Sequence, residues 1–185
     1  NAIGDITAAD EETGLITWQL PTQSRNIINE TYNLRNSKIV SDGNSVFFSN
    51  NKNEFYSIDA KTGTTNWINK INSTTTPIII DNLIFTVSEE GYLYVVEKNE
   101  GNIIRISNLF IKYKEKTKKN LKPIGFAIGN LKLYLTISNG DILIVDINLG
   151  SVVKIKKIGS SLVSKPLIHN NSLFLVKNGS IVKYN

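Results

Sequence analysis

The side chains able to do chemistry are few and scattered. The 185 residues include no cysteine, no methionine and a single histidine, His169. Without thiols there is no disulfide framework, no thiolate metal site and no cysteine nucleophile. One histidine rules out a histidine-cluster metal site. His169 stands in the run His169-Asn170-Asn171 between two apolar stretches. A catalytic imidazole needs a nucleophile or an orienting acid beside it; no motif supplies one, so His169 reads as an exposed turn residue. Four acids recur in one setting: Asp10, Asp59, Glu97 and Asp146 each stand four residues before a glycine, Gly14, Gly63, Gly101 and Gly150. They read as turn formers, because nothing around them resembles a calcium loop or a phosphate-cradling glycine loop. The concentrated charge is basic. Lys112, Lys114, Lys116, Lys118, Lys119 and Lys122, less Glu115, carry +5, which equals the formal net charge of the whole chain. Such a run suits an acidic lipid surface, nucleic acid or an acidic partner, or else is a solvated loop or short helical excursion. Tyr113 is its one ring for stacking and no reader motif accompanies it, which disfavours nucleic acid.

The elements that must position these residues read as strands. The chain has 27 Ile but 5 Ala, a balance that suits pleated, half-buried surfaces and not helices. Its 24 Asn favour turns and left-handed backbone positions. The acid-to-glycine unit is part of a longer repeat. Six residues before each acid lies Gly4, Asn53, Gly91 or Gly140, and four after each second glycine lies Trp18, Trp67, Arg105 or Lys154. The acids are 49, 38 and 49 residues apart, which a unit of about 38 with two insertions near 11 explains. In one unit, apolar runs at Thr76–Ile80, Leu83–Val87, Tyr92–Val96 and Asn102–Ile106 alternate with turn residues. Four antiparallel strands per repeat of about 40 residues is the signature of a β-propeller blade.

The expected fold is therefore all-β, a propeller of four-stranded antiparallel blades. A blade fragment is expected at 4–20, full blades near 37–71, 74–107 and 122–158, and an incomplete last blade at 161–185. Insertions fall at 20–37 and 108–122. A partial ring of about four blades is expected, cut from a whole of seven or eight, with the upstream part of the same propeller supplying the missing strand. No apolar run approaches the ~18 residues of a spanning helix.

The stretches Gly4–Trp18 (GDITAADEETGLITW) and Asn53–Trp67 (NEFYSIDAKTGTTNW) resemble pyrroloquinoline-quinone-type (PQQ-like) repeats. That resemblance implies that Trp18 and Trp67 dock one blade on the next, and that the acid and glycine form the turn between third and fourth strands. Arg105 and Lys154 depart from the pattern where the family has Trp. Quinone-binding dehydrogenases of this kind use a vicinal cysteine pair, a stacking Trp and calcium. This chain has no Cys, so the enzyme alternative would need its catalytic residues upstream; a ligand-sensing propeller is a further alternative. Ser138–Gly150, Val153–Lys157 and Ser161–Asn185 are similar to the closing blades of the BamB family, propeller lipoproteins of the outer-membrane β-barrel assembly machinery. The resemblance implies a non-catalytic, periplasmic scaffold without cofactor or metal, lipid-anchored upstream and bound to a protein component of that machinery. Partner-binding candidates are Ile27, Ile28 and Tyr32 in the first insertion, and Lys112, Lys114, Lys116, Lys118 and Lys119 in the second.

Overall fold

The computed structural model describes residues 5–22, 34–159 and 163–184. Five antiparallel sheets are found there. The first pairs β1 (Asp5–Ala9) with β2 (Ile16–Pro21). The second holds β3 (Val40–Ser41), β4 (Ser45–Asn50), β5 (Glu54–Asp59) and β6 (Thr65–Asn69). The third holds β7 (Ile78–Ile80), β8 (Leu83–Val87), β9 (Tyr92–Glu97) and β10 (Ile103–Asn108). A single helical turn, α1 (Glu115–Lys118), precedes the fourth, made of β11 (Pro123–Gly129), β12 (Lys132–Ile137), β13 (Asp141–Asp146) and β14 (Ser151–Lys157). The last has β15 (Leu167–His169), β16 (Ser172–Lys177) and β17 (Ser180–Tyr184). In every sheet the spatial order follows the chain, a meander that needs only hairpin connections. The fold is that of propeller blades.

Burial grades across each blade. The two middle strands are nearly dry: β4 and β5 bury Phe47, Phe48, Phe55 and Ile58, and β8 buries Ile84, Phe85 and Val87. Strands enclosed on both faces read as continuous apolar runs, as these do. The fourth strands β6, β10 and β14 alternate toward solvent. The chain forms two compact units, Asn1–Pro77 with Asn99–Gly101, and Ile78–Lys98 with Asn102–Asn185. In the first, Phe48, Tyr56 and Ile58 form a cluster against which Ile6, Trp18, Leu20 and Val46 pack. Phe48 and Tyr56 stack with ring centroids 4.9 Å apart, and burial pushes the Tyr56 phenol up from its ordinary value. In the second, Phe85, Leu93, Val95, Leu109, Phe110, Leu133 and Leu135 share one core. Each such side chain contributes roughly 1.5–3 kcal/mol when fully buried.

One irregularity repeats. In all four complete third-to-fourth hairpins the register shifts, at Ala8/Ala9, Ser57/Ile58, Ile103/Arg105 and Ile144/Val145. The extra residues are Thr17, Asn66, Ile104 and Val153, each immediately before Trp18, Trp67, Arg105 or Lys154. A β-bulge twists its strand and re-aims the side chain that follows.

The glycines beneath those residues are needed for two separable reasons. Gly14 and Gly63 have nearly equal left-handed φ, 70° and 73°. A Cβ on Gly14 would meet nothing within 4 Å, whereas one on Gly63 would fall 2.6 Å from Trp18 Cδ2. Gly14→Ala should therefore cost only the left-handed backbone, about 1–2 kcal/mol. Gly63→Ala should add about 1–3 kcal/mol of overpacking. Urea unfolding of the two variants checks the difference; equal losses would contradict it.

Candidate interaction site

The aspartates of the acid-to-glycine units hold their own turns. Asp10 Oδ1 accepts hydrogen bonds from the Thr13 N–H at 2.8 Å and the Thr13 hydroxyl at 2.7 Å. Asp59 Oδ1 does the same with Thr62, at 2.7 Å and 2.8 Å. The Thr13 hydroxyl and then its N–H hold Asp10 below the ordinary carboxylate range, and the Thr62 N–H and then its hydroxyl do so for Asp59. A carboxyl lowered in the folded state stabilises above its unfolded pKa, and that contribution is lost as pH falls through the lowered value. Asp146 Oδ1 accepts from the Asn148 and Leu149 N–H groups at 2.9 Å and 3.0 Å. Glu97, one methylene longer, instead accepts from Asn82 Nδ2 at 2.7 Å across its hairpin. The Gly14, Gly63 and Gly150 N–H groups close their turns on the carbonyls of Asp10, Asp59 and Asp146.

Docking on these turns takes more than one chemical form. Trp18 lays its ring over Gly63 and donates from Nε1 to the Ala60 carbonyl at 3.0 Å. Trp67 lays its ring over Gly101 and touches Phe55 edge-on, with centroids 5.5 Å apart. Beside it, Asn69 Nδ2 donates to the Gly101 carbonyl at 2.7 Å. Arg105 is an arginine where the pattern has Trp, yet it docks. Its guanidinium donates to the Ile147 carbonyl and to the Asn148 carbonyl, while Arg105 and Ser107 cover Gly150. Ile147 follows the turn acid Asp146 as Ala60 follows Asp59, so both side chains seek the same carbonyl of the repeat.

For Lys154 no receiving third-to-fourth turn is among the described residues. Lys154 lines a cavity of about 740 Å³ with Lys156, Ile142, Ile144, Ile168 and Tyr184. Lys156 Nζ stands 5.1 Å from the Tyr184 ring centroid, a cation–π distance. Gly179, in the β16–β17 turn, matches Gly91 and Gly140 and not the docking glycines, and has nothing within 4 Å of a built Cβ. His169 closes β15 opposite Ser172 and is exposed. Ile27, Ile28 and Tyr32 lie outside the described residues.

The lysine segment is not a loose arm. Leu109, Phe110 and Leu121 are buried at its two ends, 0%, 1% and 4% exposed. The Leu109 N–H donates to the Gly91 carbonyl at 2.9 Å, and the Phe110 ring fills the space where a Gly91 Cβ would be. The Tyr113 hydroxyl donates to Asp141 Oδ2 at 2.7 Å, and Lys112 Nζ to the Val152 carbonyl at 2.9 Å. Burial, and then Asp141, push the Tyr113 phenol up. Between these anchors Lys114, Lys116 and Lys119 are exposed, while Lys118 pairs with Glu115 at 2.5 Å. The clamp came from apolar residues that flank the lysines, a signal visible in the sequence as Leu109-Phe110 and Leu121 but overshadowed by the charge.

Replacing Arg105 tests the polar docking. Arg105→Ala removes two charge-assisted hydrogen bonds and should cost about 1.5–3 kcal/mol in thermal or urea unfolding. Arg105→Lys should recover little of it, because an ammonium is a point charge without the planar fork. Full stability in Arg105→Ala would show the contact to be idle.

Comparison with known proteins fits this geometry. The chain is similar in structure to BamB from Moraxella catarrhalis, with a TM-score of 0.60 and 16% identity over 98% of this chain and 66% of that one. It is also similar to the computationally designed Ika8 protein, with a TM-score of 0.75 and 15% identity over 99% of this chain and 53% of that one. The β-propeller domain of Cps50 (Swd1) from Myceliophteria thermophila aligns with a TM-score of 0.70 and 12% identity, over 94% and 56% of the two chains. These likenesses carry the propeller fold, and the chain spans between about half and two thirds of each of them. No curated protein matches the sequence. The family model described as outer membrane protein assembly factor BamB matches residues 1–107, the stretch that holds both docking tryptophans and three of the four turn acids. The chain belongs to the BamB family.

Proposed function

We propose that this chain works as a non-catalytic scaffold of outer-membrane β-barrel protein assembly, in the periplasm, on a protein held to the outer membrane by a lipid anchor upstream. The observation that carries this reading is the match of residues 1–107 to the BamB family. The local chemistry supports it. Acids Asp10, Asp59 and Asp146 bind their own turns, and Arg105 binds backbone carbonyls, so these groups serve the framework. A framework of this kind presents loops on strands that cannot shift, which limits the ordering entropy lost on binding. The protein partner, a component of the assembly machinery, is met by the 20–37 insertion. Ile27, Ile28 and Tyr32 supply the apolar and aromatic anchors that interfaces use.

The test is direct binding of the purified protein to purified outer-membrane assembly components, read by calorimetry. Saturable binding is expected, weakened at least about tenfold by Ile27→Ser with Tyr32→Ala, since anchor residues contribute upward of ~1.4 kcal/mol each. Absence of binding contradicts the scaffold. So does tight uptake of pyrroloquinoline quinone with calcium accompanied by an absorbance change, which would move the protein to the dehydrogenases.

A further inference from the structure

The lysines of 112–122 are not alone. Lys112 Nζ reaches the Val152 carbonyl on β14, and Tyr113 meets Asp141, the same carboxylate that Lys157 of β14 pairs with at 3.5 Å. The segment is therefore seated against β13 and β14 of the fourth blade. The six lysines of the segment are joined there by Lys157, which shares Asp141 with Tyr113, whereas Lys154 and Lys156 line the cavity with Ile142, Ile144 and Tyr184. Three are neutralised in pairs: Lys118 by Glu115, Lys157 by Asp141 and Lys122 by Glu89. The other four, Lys112, Lys114, Lys116 and Lys119, have no carboxylate partner among the described residues. Two apolar side chains stand exposed among them, Ile111 at 66% and Val153 at 52%.

The bland account of β14 is that lysines on an edge strand block pairing with other chains. It does not reach Lys114, Lys116 and Lys119, which lie on or beside α1 and not on a strand. Like charges held this close repel, and the anchors Phe110, Tyr113 and Leu121 fix them there. The composition selects the ligand. The patch contains no arginine and no exposed tryptophan. Protein interfaces favour arginine and aromatic anchors and are depleted in lysine, and arginine is the residue for bidentate grip on a carboxylate. Strongly hydrated ammonium groups on flexible stems suit a charged surface without fixed geometry. Exposed aliphatic side chains set among lysines are the pattern that inserts at a lipid headgroup boundary.

We propose that this lysine crest binds the anionic surface of a lipid bilayer, with Lys114, Lys116 and Lys119 against the headgroups and Ile111 at the interface. The site is independent of the protein contact assigned to the 20–37 insertion. Juxtamembrane lysines contribute about 1 kcal/mol each on an anionic surface, and screening limits their reach to ~8 Å at 0.15 M salt.

The experiment is co-sedimentation of the full chain with vesicles of phosphatidylcholine, with and without phosphatidylglycerol, over a range of salt. Binding is expected to the mixed vesicles alone and to fall as salt rises. Lys114→Glu with Lys116→Glu and Lys119→Glu should weaken it by a hundredfold or more, about three lysines at 1 kcal/mol each. A control with the same charge change elsewhere, Lys61→Glu with Lys132→Glu and Lys183→Glu, should retain binding within a few fold; all six positions are exposed, so folding, checked by circular dichroism, is kept. Equal loss in the two triple variants would overturn the proposal, because net charge alone would then explain binding. Failure to bind mixed vesicles, with salt-sensitive binding to polyglutamate instead, would overturn it in favour of an acidic protein partner. Binding that ignores phosphatidylglycerol or salt would overturn it as well.

Discussion

The contact on which the blades depend joins a fourth-strand side chain to the left-handed glycine of the next turn. A propeller blade is a twisted sheet with two apolar faces, and it is stable only when both are covered. The repeat covers them with one large side chain per blade, aimed by a bulge and received on a glycine that has no Cβ. Trp18 on Gly63 shows each part: the extra residue Thr17, the ring over the glycine, and the indole N–H bonded to the Ala60 carbonyl. The acid of each turn matters because it fixes where the glycine sits. In a row that looks like candidate ligands, one acid per blade, the three aspartates Asp10, Asp59 and Asp146 are consumed in holding these turns.

The Arg105 junction shows that the constraint is geometric before it is hydrophobic. A guanidinium replaces an indole, and the contact survives because both reach the carbonyl that follows the turn acid. The reach is similar, the plane is similar, and the glycine below, Gly150, is kept at φ 69°. At Lys154 no receiving turn is among the described residues, and the side chain lines a cavity. The bulge is nonetheless present there, at Val153, so strand geometry persists where the docking residue has changed.

Much of this was legible in the residues. The strand expected at Leu83–Val87 is β8 with those bounds, and that expected at Tyr92–Val96 is β9, one residue longer. Apolar alternation and Gly, Asn or Asp at turns are local signals, and local signals place strands. The first strand of that blade, expected at Thr76–Ile80, is shorter, Ile78–Ile80; it follows Pro77, which has no N–H to give a ladder. The bulges were not legible, since an extra residue in a strand leaves no mark in composition. Nor was the docking of Arg105, which depends on a carbonyl 42 residues away. The lysine run was visible as charge, but its seating on the fourth blade rests on Tyr113 and Asp141, 28 residues apart. Long-range polar contacts of this kind have no period to read.

The central claim is that the side chain and the glycine act as one unit, and a double-mutant cycle on Trp18 and Gly63 measures that coupling. In the Trp18→Ala background the ring is gone, so Gly63→Ala should lose only its left-handed backbone preference, as at the open turn of Gly14. The coupling energy from the four unfolding curves should then be about 1–3 kcal/mol, in the range for residues in contact. A coupling within about 0.3 kcal/mol of zero would mean that the two residues stabilise the chain independently, and would contradict the account.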